Sequence, residues 1–377
     1  MQVDKEELQT ETVRATRAVI DLGAIRHNIS GIRKRIGDSR RLMAVVKADG
    51  YGHGALEVSH AALNSGADSL AVAIPEEGQD LRAGGIACPV LVFGLIQPRE
   101  AWKTVTADLE QTVCSVELLE ALDQESRKRS VKTSVHIKVD TGMGRIGLAP
   151  DDVVAFARRV VACPNIILNG VYSHFSCSDE ADKSFSYTQI RRFEEVLRAL
   201  MAAGISVPIR HMANSGAVLD IPEGHFDMVR PGIMIYGLYP STDVSHSVLL
   251  RPAMRFVTQI SQVKTVTPGT PVGYGRTFVA DRDTIVATFP AGYADGYRRN
   301  LSNKAHVLVR GQRVPLLGRV AMDMCMIDVS SIGDVQPGED VILFGPNLPV
   351  EELASIIGTI NYEVVTGIGK RVPRVYE

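Results

Sequence analysis

Between about residue 18 and residue 240, short β-branched apolar runs alternate with longer segments whose apolar positions recur three and four apart among charges. The runs are Leu42–Lys47, Ser69–Ala73, Val90–Gly94, Gln111–Cys114, Val135–Asp140, Gly170–His174, Ile209–Ala213 and Met228–Tyr236. Between them, Ala24–Ile36, Val116–Arg129, Asp151–Ala162 and Lys183–Ala203 have the period of amphipathic helices. Strand then helix, repeated eight times, predicts a (β/α)8 TIM barrel in the α/β class. An open doubly wound sheet is the competing arrangement; the count of eight and the lack of a GxGxxG after the first strand weigh against it.

Beyond about residue 245 the texture changes to strand-like runs and turn signals with few amphipathic segments, as in Met254–Val266, Thr284–Phe289, His306–Arg310 and Val341–Phe344. Arg310-Gly311 and Pro268-Gly269 have the chemistry of hairpin turns. The chain therefore divides into residues 1–15, an N-terminal extension expected to be flexible, 16–245, the barrel, and 246–377, a C-terminal β-rich domain. A length of 377 residues supports two domains, because single cores rarely grow beyond about 250–300 residues.

Composition narrows the function class. With 41 basic and 43 acidic residues the formal charge is -2, so no global field favours nucleic acid or an anionic membrane. Five scattered cysteines without CxxC spacing suggest reduced thiols and no metal site. The polar, acid-rich start lacks the basic-then-apolar order of a signal peptide, and no stretch approaches the roughly 20 apolar residues of a membrane span. A cytoplasmic protein acting on a small molecule is expected.

The candidate chemistry lies at strand ends. In Val45-Val46-Lys47-Ala48-Asp49-Gly50-Tyr51-Gly52-His53-Gly54, a lysine ends an apolar strand and meets a glycine-rich turn. There it would sit at the barrel mouth, where active sites form, with apolar walls lowering its amine pKa as Schiff-base chemistry requires. A snorkelling lysine beside a tight turn is the plain alternative. The sixth run ends in Ser173-His174, the seventh leads into His211-Met212-Ala213-Asn214-Ser215-Gly216, and the eighth carries Arg230-Pro231-Gly232-Ile233. Asn214-Ser215-Gly216 can offer a hydroxyl and backbone amides to a phosphate. Each piece also has an ordinary reading: Ser215 as an N-cap, either histidine as a satisfied core residue, Arg230 as an ion-pair partner.

Taken in order, the motifs resemble those of the alanine racemases. The lysine motif at 44–54 is followed by Lys138-Val139-Asp140-Thr141-Gly142-Met143-Gly144-Arg145, the 211–216 run and Arg230-Pro231-Gly232. Val272-Gly273-Tyr274-Gly275-Arg276, Gly292-Tyr293-Ala294-Asp295-Gly296, Gly318-Arg319-Val320-Ala321-Met322-Asp323 and Asn361-Tyr362-Glu363 complete the series. The resemblance extends from about residue 16 to the C-terminus.

It implies pyridoxal 5'-phosphate bound to Lys47 as a Schiff base, L- and D-alanine as substrates, and a head-to-tail homodimer with shared active sites that supplies D-alanine for peptidoglycan. Racemisation needs a base on each face of Cα; the resemblance makes these Lys47 and Tyr274. It places Tyr51, His174, Asn214, Ser215, Arg230, Gly232, Ile233 and Tyr362 around the cofactor, with Arg230 against the pyridine nitrogen. Arg145, Met322, Asp323 and Tyr293 fall on the substrate side, and Lys138 becomes a candidate for carbamylation. His136 and Asp140 receive no catalytic role. Three alternatives stand beside this reading: a serine or broad-specificity racemase; an amino-acid decarboxylase of the same architecture, for which Cys325 is the β domain's one candidate cysteine; and a non-catalytic cofactor carrier, which would lack the tyrosine-bearing domain.

Overall fold

The structure, a computed structural model, describes residues 14–377. It divides into two compact units, residues 23–251 and a second unit that joins residues up to Leu22 to 252–377. Of the extension expected at residues 1–15, only Arg14 and Ala15 fall within the described residues.

One strand of the second unit comes first in the chain, β1 (Arg17–Ile20), and the barrel is built on the next eight. These are β2 (Arg41–Val45), β3 (Ser69–Val72), β4 (Val90–Val92), β5 (Glu110–Val113), β6 (Thr133–Lys138), β7 (Ile166–Tyr172), β8 (Ile209–His211) and β9 (Met228–Val229). All neighbours are parallel, and β9 pairs back onto β2 through Arg41–Met228 and Leu42–Val229, closing the barrel. Leu22–Ile36, Val116–Arg129, Val153–Ala162 and Ser184–Ala202 are helices that bury their apolar stripes, as the periodicity predicted. Ser115 caps the second of them by accepting from the Leu118 amide at 3.3 Å, which fixes its start.

The eighth predicted strand is shorter than expected. Met228–Tyr236 forms only two strand residues, then a turn, then a single 3-10 turn at Ile233–Tyr236. Pro231 has no amide for a ladder, and Gly232 at φ -112°, ψ -91° bends the chain away from the sheet.

In the second unit, nine strands form one sheet that includes Thr284–Phe289, Gln312–Leu317 and Asp340–Phe344. Arg310 (φ 50°) and Gly311 (φ 75°) make the tight turn between the strands His306–Val309 and Gln312–Leu317. Pro268-Gly269 also turns, but the strands on either side of it, Gln262–Val266 and Pro271–Val272, join different sheets and do not pair with each other.

Both expected domain boundaries move. β1 belongs to the second unit and not to the barrel: it pairs antiparallel with Met254–Gln259 and parallel with Arg374–Tyr376. Only Ala18–Ile20 of its four residues form an apolar run, and its partners lie more than two hundred positions downstream, which no local pattern reveals. At the other end, 246–251 stays with the barrel unit, because His27 Nε2 donates to the Leu249 carbonyl at 3.0 Å and the Arg251 amide donates to Asn28 Oδ1 at 2.8 Å.

The second unit also contains a buried carboxylate. Asp295 accepts from Arg14 (2.6 Å), Arg371 (2.7 and 2.9 Å) and the Gly292 amide (2.9 Å). Burial by itself would raise its pKa; the hydrogen bonds from Arg371, Arg14 and Gly292 outweigh it and hold the carboxyl below its ordinary value. Asp295→Ala is expected to cost about 2–3 kcal/mol in chemical denaturation at pH 7, since it leaves two arginines facing a buried void. A depressed carboxylate stabilises above its unfolded pKa of about 4. The gap between wild type and variant should therefore narrow as pH falls below that value.

Candidate active site

Lys47 does not simply end a strand; it opens a turn of unusual backbone. Ala48, Asp49, Gly50 and Tyr51 have φ of 53°, 54°, 58° and 51°, and Gly52 follows at 81°. Left-handed geometry costs L-residues roughly 1–2 kcal/mol each, so the surroundings must hold this turn in place. Glu77 Oε1 accepts from the Ala48 amide at 2.6 Å, Asp49 Oδ1 accepts from the Ala55 amide at 3.0 Å, and the Gly50 amide reaches Val46 O at 2.9 Å. Glu77 Oε2 also accepts from the Ala73 amide at 2.8 Å. Burial lowers the Lys47 amine pKa, the charge of Arg145 lowers it further, and Glu77 opposes.

Arg230 follows β9 and points inward, 3% exposed. Its guanidinium donates to His211 Nδ1 (3.0 Å), His174 Nδ1 (3.2 Å), Ser173 O (2.9 Å) and Met212 O (3.0 Å), and its hydrogen bonds include no carboxylate. Burial brings its pKa down to about 10, with Arg145 adding and Tyr172 opposing, so it stays protonated near neutrality. Burial and then Arg230 push both His174 and His211 well below their ordinary value, so these imidazoles are neutral. Both histidines are therefore held against Arg230.

Lys138, the last residue of β6, is also buried, with its ammonium donating to Val139 O at 2.7 Å and lying 5.5 Å over the Tyr172 ring. Burial, then Arg230, bring its pKa to about 8; Arg145 adds to this and Asp140 opposes it. Asp140 is committed elsewhere, accepting from the amides of Gly142, Met143 and Gly144 in the glycine-rich turn that presents Arg145.

The turn after β8 resolves the reading of Ser215. Asn214 is the N-cap of the helix Ser215–Asp220, accepting from the Ala217 amide at 3.1 Å and from the Ser178 hydroxyl at 2.7 Å. Ser215 is thereby free to brace the next strand end: its hydroxyl accepts from the Gly232 amide at 2.9 Å. Gly232 must lack a side chain, because a Cβ there would lie 2.4 Å from the Tyr51 hydroxyl oxygen. Tyr51 has little room to give way, being buried with its ring 4.8 Å from that of Tyr236. The first amides of the turns at Ser215 and Ile233 have no partners within their own helices and point as donors out of the N-termini.

Lys47, Lys138, Arg145 and Arg230 all act electrostatically on His174. Glu77 and Asp140, the carboxylates that act on Lys47 and Lys138, accept from backbone amides. A cluster of cations in a low-dielectric barrel mouth, next to two helix N-termini and two hydroxyls, is a donor set made for an anion with several oxygens. A phosphorylated cofactor together with an amino-acid carboxylate matches that demand. An arginine with only donors also suits an unprotonated ring nitrogen.

In the β-rich unit, Tyr274 stands 70% exposed in a turn between Gly273 (φ 75°) and Gly275 (φ 71°). It lines a cleft of about 660 Å³ with Met322 and Asp323. Arg371 ties Asp323 (2.7 Å) to the buried Asp295. Tyr293 lines a separate depression with Arg298, Asn300 and Glu363, and Tyr362 lies half-buried on the helix Asn361–Thr366. Sequence reasoning passed over Glu77 and Tyr172. Glu77 had one signal, its position three residues after Ile74 at the start of the helix Pro75–Ala83, where it accepts back from the Ile74 amide.

Comparison with known proteins agrees with this geometry. Residues 20–240 match the N-terminal domain of alanine racemase and 253–376 match its C-terminal domain. The chain belongs to the alanine racemase family. Alanine racemases from Desulfovibrio desulfuricans and Desulforamulus reducens are 46% and 48% identical to it, each over 95% of this chain and 97% or 98% of the relative. The solved alanine racemase of Clostridium difficile superposes with a TM-score of 0.94 at 35% identity, covering 97% of both chains. That of Bacillus anthracis, solved with bound L-Ala-P, superposes at 0.92 with 36% identity over 98% of this chain and 96% of that one. As a family member the protein is a pyridoxal-phosphate-dependent isomerase, an alanine racemase.

Gly232→Ala should displace Tyr51, lower stability by about 1–3 kcal/mol as overpacking does, and weaken cofactor affinity. A thermal melt and a pyridoxal-phosphate titration followed by absorbance will show whether both move together.

Proposed function

We propose that the protein interconverts L- and D-alanine by a two-base mechanism, with Lys47 holding pyridoxal 5'-phosphate and serving one face of Cα while Tyr274 serves the other. The observation that carries this reading is the desolvated Lys47 amine on its left-handed turn, next to cations whose nearby carboxylates are already taken up by backbone amides. When bound, the cofactor supplies the electron sink that makes the Cα proton removable. Tyr51, Ser215 and the turn amides at Gly216 and Ile233 would hold its phosphate; Arg230 would face its ring nitrogen, with His174 and Asn214 behind them.

The roles of the side chains follow from their surroundings. Lys47, with its pKa lowered, reaches the neutral form that accepts a proton more readily than an exposed lysine. Arg230 can only donate, so a ring nitrogen against it remains without a proton. That moderates the sink and favours return of the proton to Cα over side reactions. Arg145 offers a guanidinium to the substrate carboxylate, and Met322, Asp323 and Tyr293 would border the substrate's path. Cys325 is buried at the start of the strand Cys325–Asp328, and burial pushes its thiol pKa up strongly. A decarboxylase cysteine would need the opposite properties, an accessible and readily ionised thiol.

The neighbourhood of Tyr274 supports a head-to-tail homodimer in which the tyrosine of one protomer serves the lysine of its partner. Met322 and Met324 are each 52% exposed beside it in the same cleft, apolar exposure that association would cover. D-alanine made in this way would feed peptidoglycan synthesis. We place the enzyme in the cytoplasm: the described cysteines are all free thiols, and among the described residues no helix is long and apolar enough to cross a membrane.

Lys138 is the candidate for carbamylation. With a pKa of about 8, part of the population is neutral at neutral pH. The neutral amine nitrogen adds to the carbon of CO2 and releases one N–H proton to solvent, turning a cation into an anion that can hold Arg145 by charge-assisted hydrogen bonds.

Lys47→Ala should lower racemase activity by at least about 10³-fold and abolish borohydride-fixed cofactor, since it removes both anchor and base. Tyr274→Phe should retain the cofactor band while losing proton transfer on one face, seen as slowed deuterium uptake from one enantiomer; unchanged racemisation in both directions would exclude the two-base scheme. For Lys138, ¹³C-bicarbonate should give a carbamate resonance that disappears in Lys138→Ala and fades as pH falls below about 7, where the ammonium form prevails.

A further inference from the structure

Arg230 is a buried cation with no carboxylate at contact distance, yet its hydrogen bonds lead to one. Nη1 donates to His211 Nδ1 at 3.0 Å, His211 Nε2 and His136 Nδ1 are 2.9 Å apart, and His136 Nε2 and Glu110 Oε2 are 2.9 Å apart. Glu110 opens β5 at the end of the barrel opposite Lys47, where Asn169 on β7 donates to its other oxygen at 2.7 Å. A cavity of about 270 Å³ reaches this end, lined in part by Arg41, Asp68, Glu110, His136 and Asn169.

The direction of every proton in this chain is set by chemistry. Arginine has donors only, so His211 Nδ1 must accept and its proton sits on Nε2. His136 Nδ1 must then accept from His211, which puts the His136 proton on Nε2, facing Glu110. A protonated His136 is incompatible with this order, because His211 would have to accept at both nitrogens. Glu110 stays ionised: burial alone would raise its pKa, but the hydrogen bonds from His136 and Asn169, with the charge of Arg41, hold it below the ordinary value.

The barrel makes room for the relay. Gly170 is the β7 partner of His136, at a point where the β6–β7 register shifts, and a Cβ on it would lie 2.3 Å from His136 Nδ1. In the layer above, His211 stacks on Tyr172 at 4.7 Å and 13°, while the two imidazoles meet edge-on at 83°.

We propose that Glu110 is a positioning residue for Arg230: through neutral His136 and His211 it selects the tautomers that accept from the guanidinium and so fixes its place. This rests on the cofactor reading only in what Arg230 faces; the proton order within the relay is independent of it. Successive hydrogen bonds polarise one another, so the carboxylate also supplies the distant negative charge that Arg230 lacks at contact range. Removing it frees both imidazoles to exchange tautomers, and the exchanged form sets an N–H of His211 against an arginine donor.

The test begins with wild-type holoenzyme. ¹⁵N-histidine spectra should show His211 and His136 neutral, each protonated on Nε2; either ring in the Nδ1–H form or doubly protonated overturns the proposal, whatever the catalytic result. In Glu110→Gln one carboxylate oxygen becomes an amide nitrogen, so a single acceptor is left for both His136 and Asn169, and the His136 and His211 resonances should shift toward mixed tautomers. The absorption band of bound cofactor should move, and kcat should fall by about 10- to 100-fold, the range for outer partners of functional histidines, with KM changed less than about 2-fold. Unshifted nitrogens, or a loss confined to thermal stability with kcat intact, would also overturn it. Glu110→Asp, which keeps the carboxylate, should recover part of kcat and the wild-type tautomers.

Discussion

The barrel depends most on how it accommodates the buried guanidinium of Arg230. A cation removed from water is tolerated only when its donors are all directed at acceptors, and here those acceptors are two backbone carbonyls and two neutral imidazoles. Neutral acceptors leave the charge uncompensated at short range. Burial lowers the pKa values of Lys47, Lys138, His174 and His211, and the charge of Arg230, or for Lys47 that of Arg145, lowers them further. The barrel mouth is in effect a positive cavity whose balance is completed by an anionic ligand.

Holding such a cavity open requires backbone in strained or crowded conformations. The left-handed run from Ala48 to Gly52 aims Lys47 inward, and Glu77 and Asp49 hold it by accepting from backbone amides. Gly232 allows the Tyr51 hydroxyl close to the chain, and Gly170 does the same for His136 on the next layer down. The carboxylates near the mouth accept from backbone N–H groups, and their charges only partly offset the lysines. The strain and the electrostatics are linked: the acids that fix the turns are also the charges that act on the nearby lysines.

Members of this family share a barrel followed by a β-rich region, and the two units here follow that division. The barrel unit holds the anion-seeking groups, while the second unit carries Tyr274, Met322 and Asp323 around one cleft, with Asp323 steadied through Arg371 by the buried Asp295. A glycine on each side of Tyr274 accounts for its exposure: both adopt positive φ, and a Cβ on Gly275 would press on the Arg319 guanidinium at 3.2 Å.

Periodicity alone determined the repeated strand-helix order, the positions of seven of the barrel strands to within a few residues, and Val116–Arg129 to the residue, because burying one face of a helix or both faces of a strand leaves a local imprint. Motif order along the chain determined the family and marked Lys47, Arg230 and Tyr274, since their chemistry needs particular side chains beside particular turns. Only the tertiary structure decided that Arg17–Ile20 joins the β-rich unit, that Asn214 caps a helix while Ser215 braces Gly232, and that Glu110 is linked to Arg230 through two histidines. Those are relations between residues distant in sequence: a hydrogen bond across the barrel has no period, and nothing near Glu110 records the arginine at the far end of its chain of protons.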